Sequence, residues 1–149
     1  MPMWTVTQPP VTIPAAKSFE ERVFGRDVAF EDGDYVRTPA GDYATVGGER
    51  NVRASLLRRW LCAPNGFRLR PGYGAGVGEL VNKPLTPANQ ATTANAIREQ
   101  AVEDRRVRRA EATVTRHGVD VARVVAKAQL RQVRGRPLGI EFIVRSTGQ

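Results

Sequence analysis

The spacing of apolar residues changes at one point along the chain. Ala94, Ile97, Ala101 and Val102 recur at three- and four-residue intervals, which puts them on one side of a helix. Beyond Val107 the interval is two. Arg108, Ala110, Ala112 and Val114 alternate with Arg109, Glu111, Thr113 and Thr115, as a half-buried strand requires. Val119 and Val121, then Val124, Ala126, Ala128 and Leu130, alternate in two registers separated by Ala122-Arg123, which predicts a long strand with a bulge there. A helix over 121–130 is the competing reading. Leu138, Ile140, Phe142 and Val144 alternate with Gly139, Glu141, Ile143 and Arg145, the clearest strand pattern in the chain. Arg116-His117-Gly118 and Arg134-Gly135-Arg136-Pro137 are the turns between these strands.

Upstream, Val52, Leu56, Leu57, Trp60 and Leu61 fall on one helical face, with Arg53, Arg58 and Arg59 outward. Pro64-Asn65-Gly66 stops that helix. Thr86-Pro87 supplies a cap and a first-turn proline for the second one. Between Phe24 and Val46 the chain reads as short strands, Val28–Phe30, Tyr35–Arg37 and Tyr43–Val46, with turns at Asp32-Gly33 and Pro39-Ala40-Gly41. Phe67–Arg70 reads as a short extended piece. Residues 1–18 hold Pro2, Pro9, Pro10 and Pro14 and little periodicity, so an extended arm is expected there. Trp4, Val11 and Ile13 in that arm either order against another chain or stay unordered. The resulting fold class is α+β: a compact single domain over 19–149, with two main helices packed on a small C-terminal antiparallel sheet, plus the N-terminal arm.

With 41% hydrophobic and 26% charged residues, most of the 149-residue chain is expected to be globular, with a core that needs no staples. No apolar run approaches the ~20 residues that span a bilayer, and the start lacks a signal-peptide pattern, so a soluble protein without a membrane partner is expected. Cys62 is the sole cysteine, which excludes an internal disulfide and favours a small buried filler. His117 is the sole histidine and is read as a turn residue rather than a metal ligand.

The net charge of +8 is uneven: from Arg98 to Arg136 there are eleven basic residues against five acidic ones. All basic residues but Lys17, Lys83 and Lys127 are arginine, suited to bidentate pairing with carboxylates and phosphates alike. The aromatics that make a stacking platform for single strands are not interleaved with these arginines, so nucleic acid is the less favoured partner. The run Gly72-Tyr73-Gly74-Ala75-Gly76 lacks the lysine-serine or lysine-threonine pair of a phosphate loop. It reads as backbone bending sharply around Tyr73. The cluster Glu103-Asp104-Arg105-Arg106 marks the corner between helix and strand, where the charges can satisfy one another or reach a neighbouring chain.

Taken together and in order, several motifs resemble the gene-25-like baseplate wedge family of contractile phage tails, which includes sheath initiators and a related type VI secretion baseplate subunit. They are Phe24-Gly25-Arg26-Asp27, Asp32-Gly33-Asp34, Leu56-Leu57-Arg58-Arg59, Pro64-Asn65-Gly66, Arg70–Gly76 and the charged corner. The resemblance spans roughly residues 24–145. Ungapped, the family's Glu-Pro-Arg-aliphatic signature falls on Asp104, Arg105, Arg106 and Val107, with aspartate for glutamate and arginine for proline; a shift by one, onto Glu103-Asp104-Arg105, would put Arg106 at the aliphatic place. The resemblance implies a virion protein of the tail baseplate, assembled in the host cytoplasm, without enzymatic activity or cofactor. Its implied partners are other wedge proteins and the tail sheath protein, with tube or hub proteins as further candidates. It also implies that sheath assembly starts on a strand edge. The interface is then expected at Asp104, Arg105, Arg106 and Val107, at Tyr73 beside the glycines, and along Leu138, Ile140, Phe142 and Val144.

Two other classes compete. Glu99 and Glu103 lie one helical turn apart beside Asp104, as a lysozyme-like glycoside hydrolase could use them, but Arg98, Arg105 and Arg106 favour the ionised carboxylate over a general acid. A basic sheet face could instead bind nucleic acid.

Overall fold

Three long antiparallel strands in the order β5-β6-β7 form the C-terminal part of the chain: β5 (Val107–Gly118), β6 (Val121–Leu130) and β7 (Leu138–Arg145). This computed structural model describes residues 18–145, except 32, 33, 120 and 134 and the side chain of Val81. The arm, with Trp4, Val11 and Ile13, lies outside the described residues apart from Ser18. Before the sheet come α1 (Phe19–Phe24), β1 (Arg26–Val28), β2 (Phe30–Glu31), β3 (Asp34–Tyr35), β4 (Thr45–Gly47) and α2 (Gly48–Leu61). A 3₁₀ turn (Val77–Asn82) and α3 (Pro87–Val102) follow. The chain is α+β, with two main helices and a three-stranded antiparallel sheet.

One face of the sheet makes the core. Ala122, Val124, Ala126, Ala128 and Leu130 of β6 are buried, as are Leu138, Ile140 and Val144 of β7. Against them pack Val52, Leu56 and Trp60 of α2 and Ala94, Ile97 and Ala101 of α3. Trp60 buries its ring fully and donates its indole N–H to the Ile97 carbonyl at 3.1 Å, which locks the two helices together without an orphaned donor. Phe142 is half-buried and stacks on the same ring, with centroids 6.2 Å apart. Leu61 and Val102, expected on the buried faces, are 48% and 45% exposed. Each is the last residue of its helix, where the apolar stripe has already turned away from the sheet.

Regular alternation in β6 is unbroken, so the expected bulge at Ala122-Arg123 is absent. The irregularities sit on β5. Val107 pairs with Leu130 and Arg109 with Gln129, so β5 spends two residues where β6 spends one. That bulge flips the register, which lets Val107 be buried while Ala110, Ala112 and Val114 also face inward and Arg108 points out. A second irregularity between Arg116 and Gly118 keeps His117 in the exposed strand and moves the turn to Val119, which is 88% exposed.

The N-terminal half carries two small antiparallel ribbons, β1-β4 and β2-β3, and one isolated bridge from Arg37 to Tyr43. Helix α1, absent from the pattern of apolar residues, begins where Ser18 caps it by accepting the Glu21 amide at 3.2 Å. Phe67–Arg70 is a turn rather than an extended piece: the Arg70 amide donates to the Phe67 carbonyl, and Leu69 is 94% exposed. Cys62 is half-buried and caps the C-terminus of α2.

Candidate functional site

Helix α3 ends in a tight turn, in which the Asp104 amide donates to the Ala101 carbonyl and the Val107 amide to the Asp104 carbonyl. The turn brings the Asp104 and Arg106 side chains together. Arg106 donates Nε to Asp104 Oδ1 at 2.8 Å and Nη2 to Oδ2 at 2.6 Å, the bidentate geometry that favours arginine over lysine. The Arg106 backbone amide donates to the same Oδ1 at 3.0 Å. Arg106 Nη1 reaches across the fold to the Phe24 carbonyl at the end of α1, 2.9 Å away. Asn51 donates to that carbonyl as well, at 3.0 Å.

Only 7% of the Asp104 side chain and 18% of the Arg106 side chain are exposed. Burial pushes the Asp104 carboxyl up, but the side chain and amide of Arg106, with the more distant positive charge of Arg59, outweigh it and hold the group below its usual 3.8. The corner thus joins α1, α3 and β5. Val107 is fully buried beside it, and Arg105 is the exposed member of the four. The contacts of the pair lie within its own chain, and Arg105 is the member of the corner left exposed. A second ion pair, Arg58 to Asp27 at 2.6 Å, fastens β1 to α2, and the Arg58 guanidinium holds the Asp27 carboxyl low.

The glycine run folds against the C-terminus of α2. Gly72, Gly74 and Gly76 all have positive φ, and at Gly74 (φ 114°) an added Cβ would sit 2.4 Å from the Ala63 carbonyl oxygen. Its amides are already taken. Gly74 donates to Gln100 Oε1, Ala75 to the Arg59 carbonyl and Gly76 to the Cys62 carbonyl. The last two bonds satisfy carbonyls that the end of α2 would otherwise leave open, so the loop closes a helix rather than cradling a phosphate. Tyr73 sits in the bend, under the Arg59 guanidinium at 4.5 Å and edge-on to Phe67 at 5.1 Å.

In β7 the structure separates two roles that alternation alone merges. Leu138, Ile140 and Val144 are buried in the core, and Phe142 is half-buried against it. What β7 offers is backbone: it pairs with β6 along one edge, and among the described residues no strand pairs with the other. Its outward side chains include Glu141, which accepts Arg123 Nε at 2.8 Å, and Ile143, which is 43% exposed. Glu99 and Glu103 are both exposed at the end of α3, while Asp104 is committed to Arg106. Among the described residues, no three His, Cys, Asp or Glu side chains gather in a metal-binding group.

No family model matches the chain, and no curated protein matches it in sequence. Solved structures do. The "putative tail lysozyme" of Geobacter sulfurreducens superposes with a TM-score of 0.52 at 15% identity, over 77% of this chain and all of that one. A chain of the anti-feeding prophage baseplate superposes with a TM-score of 0.52 at 16% identity, over 85% of this chain and 90% of that one. The chain therefore shares its fold with that tail protein and with that baseplate chain.

Proposed function

We propose that this protein is a structural subunit of a contractile-tail baseplate, joining inner wedge subunits and starting sheath assembly by strand pairing. The observation that carries the reading is the fold shared with the anti-feeding prophage baseplate chain. The free edge of β7 adds a mechanism. An unpaired edge presents a row of N–H and C=O groups, and a strand from a sheath protein can extend the sheet there, with backbone bonds giving affinity and the pleat giving register. The core behind it is rigid enough to hold that edge, because Trp60, Phe142 and Ile97 fix both helices to the sheet. On this reading wedge proteins dock near the corner at Arg105, and the protein acts in the virion.

The same proposal makes the chain non-enzymatic, despite the name of one relative. Support comes from the placement of the carboxylates: Asp104 is locked in an ion pair, and Glu99 and Glu103 stand exposed at the end of α3. The test is a contractile particle assembled without this subunit. Tubes and remaining wedge proteins are expected to assemble without an attached sheath, and adding the subunit back restores the sheath. Normal sheath on particles lacking it contradicts the role, as does peptidoglycan turnover by the pure protein that is abolished in Glu99→Gln or Glu103→Gln.

A further inference from the structure

Helix α2 buries Val52, Leu56 and Trp60 under the sheet, but a second stripe of the same helix lines an open surface. Ala54, Leu57 and Leu61 recur at three- and four-residue spacing, facing Val28 and Phe30 across a groove of about 440 Å³. The groove is mostly apolar, and its lips hold Phe30 at 43% and Leu61 at 48% exposure. Tyr35 and Tyr43 continue the apolar surface through edge-on ring contacts with Phe30 and with each other. Such a contiguous patch of aromatic and aliphatic groups marks an interaction site more often than scattered apolar residues do.

Arginine forms the rim. Arg58 is neutralised by Asp27, and Arg50 lies 3.6 Å from Glu31 in an exposed, loose pair. Arg53 has no acidic partner among the described residues. The wall that α2 gives the groove, a stripe from Arg50 on the rim through Ala54 and Leu57 to Leu61, runs about 16 Å along the helix axis at 1.5 Å per residue. Ala54 lies within that stripe, and its small side chain permits close helix-on-helix approach.

We propose that this groove receives one amphipathic helix of about three turns from a partner protein, with aliphatic residues on the inward stripe and glutamate or aspartate beside them. The length follows from the stripe, and the acidic flank follows from Arg50 and Arg53. The chain's own segment 1–17 does not fit this description, since Pro2, Pro9, Pro10 and Pro14 leave no proline-free run of three turns. The inference stands on α2 and its rim and does not require the baseplate reading, which concerns the β7 edge.

The probe is a helix-stapled three-turn peptide with leucines on one stripe and glutamates alongside, compared with a matched peptide carrying lysines. The full-length protein is expected to bind the glutamate peptide, with amide shifts at Ala54, Leu57 and Leu61, and to bind the lysine peptide at least about fivefold more weakly. Arg53→Glu is expected to reverse that preference, a readout that a loss of folding cannot imitate. Leu61→Asp, at an exposed site, is expected to weaken the glutamate peptide about tenfold. Equal binding of the two peptides, no binding, or binding unaffected by Arg53→Glu overturns the proposal. So does tighter binding of a 1–17 peptide to the same amides, or self-association that Leu61→Asp abolishes, since either assigns the groove to another copy or segment of this chain.

Discussion

Removing one partner of the Asp104–Arg106 pair should cost far more than removing an ordinary surface charge. In Arg106→Ala, a carboxylate that is 7% exposed loses two charge-assisted hydrogen bonds, and the Phe24 carbonyl loses one of its donors. Breaking a deeply buried pair from one side costs ~3–5 kcal/mol, whereas an exposed pair is worth ~1 kcal/mol or less. Because 18% of the Arg106 side chain still meets solvent, the lower end applies, about 3 kcal/mol. For a domain of this size that lowers the melting temperature by about 6–12 °C. Asp104→Ala should fall slightly short of this, since Arg106 keeps its bond to Phe24. The double variant should cost less than the two single ones added, because the residues act as a unit.

The sign with pH follows from the carboxyl. Its folded pKa lies below the 3.8 of the free side chain, so the unfolded chain binds the proton more readily. The stabilisation is complete above about pH 5 and is lost as pH falls through the folded pKa. Urea unfolding followed by circular dichroism at pH 7 and toward pH 3 measures both effects. Single variants that each lose less than about 1 kcal/mol, or an Asp104→Asn variant whose acid dependence matches wild type, would refute the buried-pair reasoning.

Three further outcomes are expected. Gly74→Ala forces a Cβ onto the Ala63 carbonyl at positive φ and should cost about 2 kcal/mol or more by urea titration, while Gly72→Ala, with nothing within 4 Å of its Cβ, should cost clearly less. Phe142→Ala should lose about 3 kcal/mol through the Trp60 stack and shift tryptophan emission, whereas Ile143→Ala on the outer face should melt within a few degrees of wild type. Thr86→Ala removes the side-chain acceptor for the Asn89 amide and should cost about 1 kcal/mol, with faster amide exchange confined to the first turn of α3.

What could be read from sequence were elements long enough for their period to show. Helix α3 and strand β7 each carry an uninterrupted apolar register, and the Thr86-Pro87 start was visible because cap and first-turn proline act locally. The six residues of α1 are too short for a period, although Ser18 and Glu21 hold the spacing of a helix cap and could have disclosed it. The bulge at the start of β5 was hidden because alternation continues through Arg108, and only the partner strand reveals the extra residue. Likewise the charged corner announced a pair, but the Phe24 carbonyl that completes it lies 82 residues away in sequence. Burial of Leu138, Ile140, Phe142 and Val144 shows the same limit: alternation tells that one face is covered, not whether the cover is the chain's own helices or a partner.

Backbone hydrogen exchange of β7 tests the central claim most directly. In the isolated subunit, every second amide of residues 138–145 faces the open edge and should exchange much faster than its neighbours bonded to β6. In assembled particles those amides should become protected together, because a partner strand would bond them in register. Fast exchange of the same amides in assembled, sheathed particles would contradict strand addition at β7.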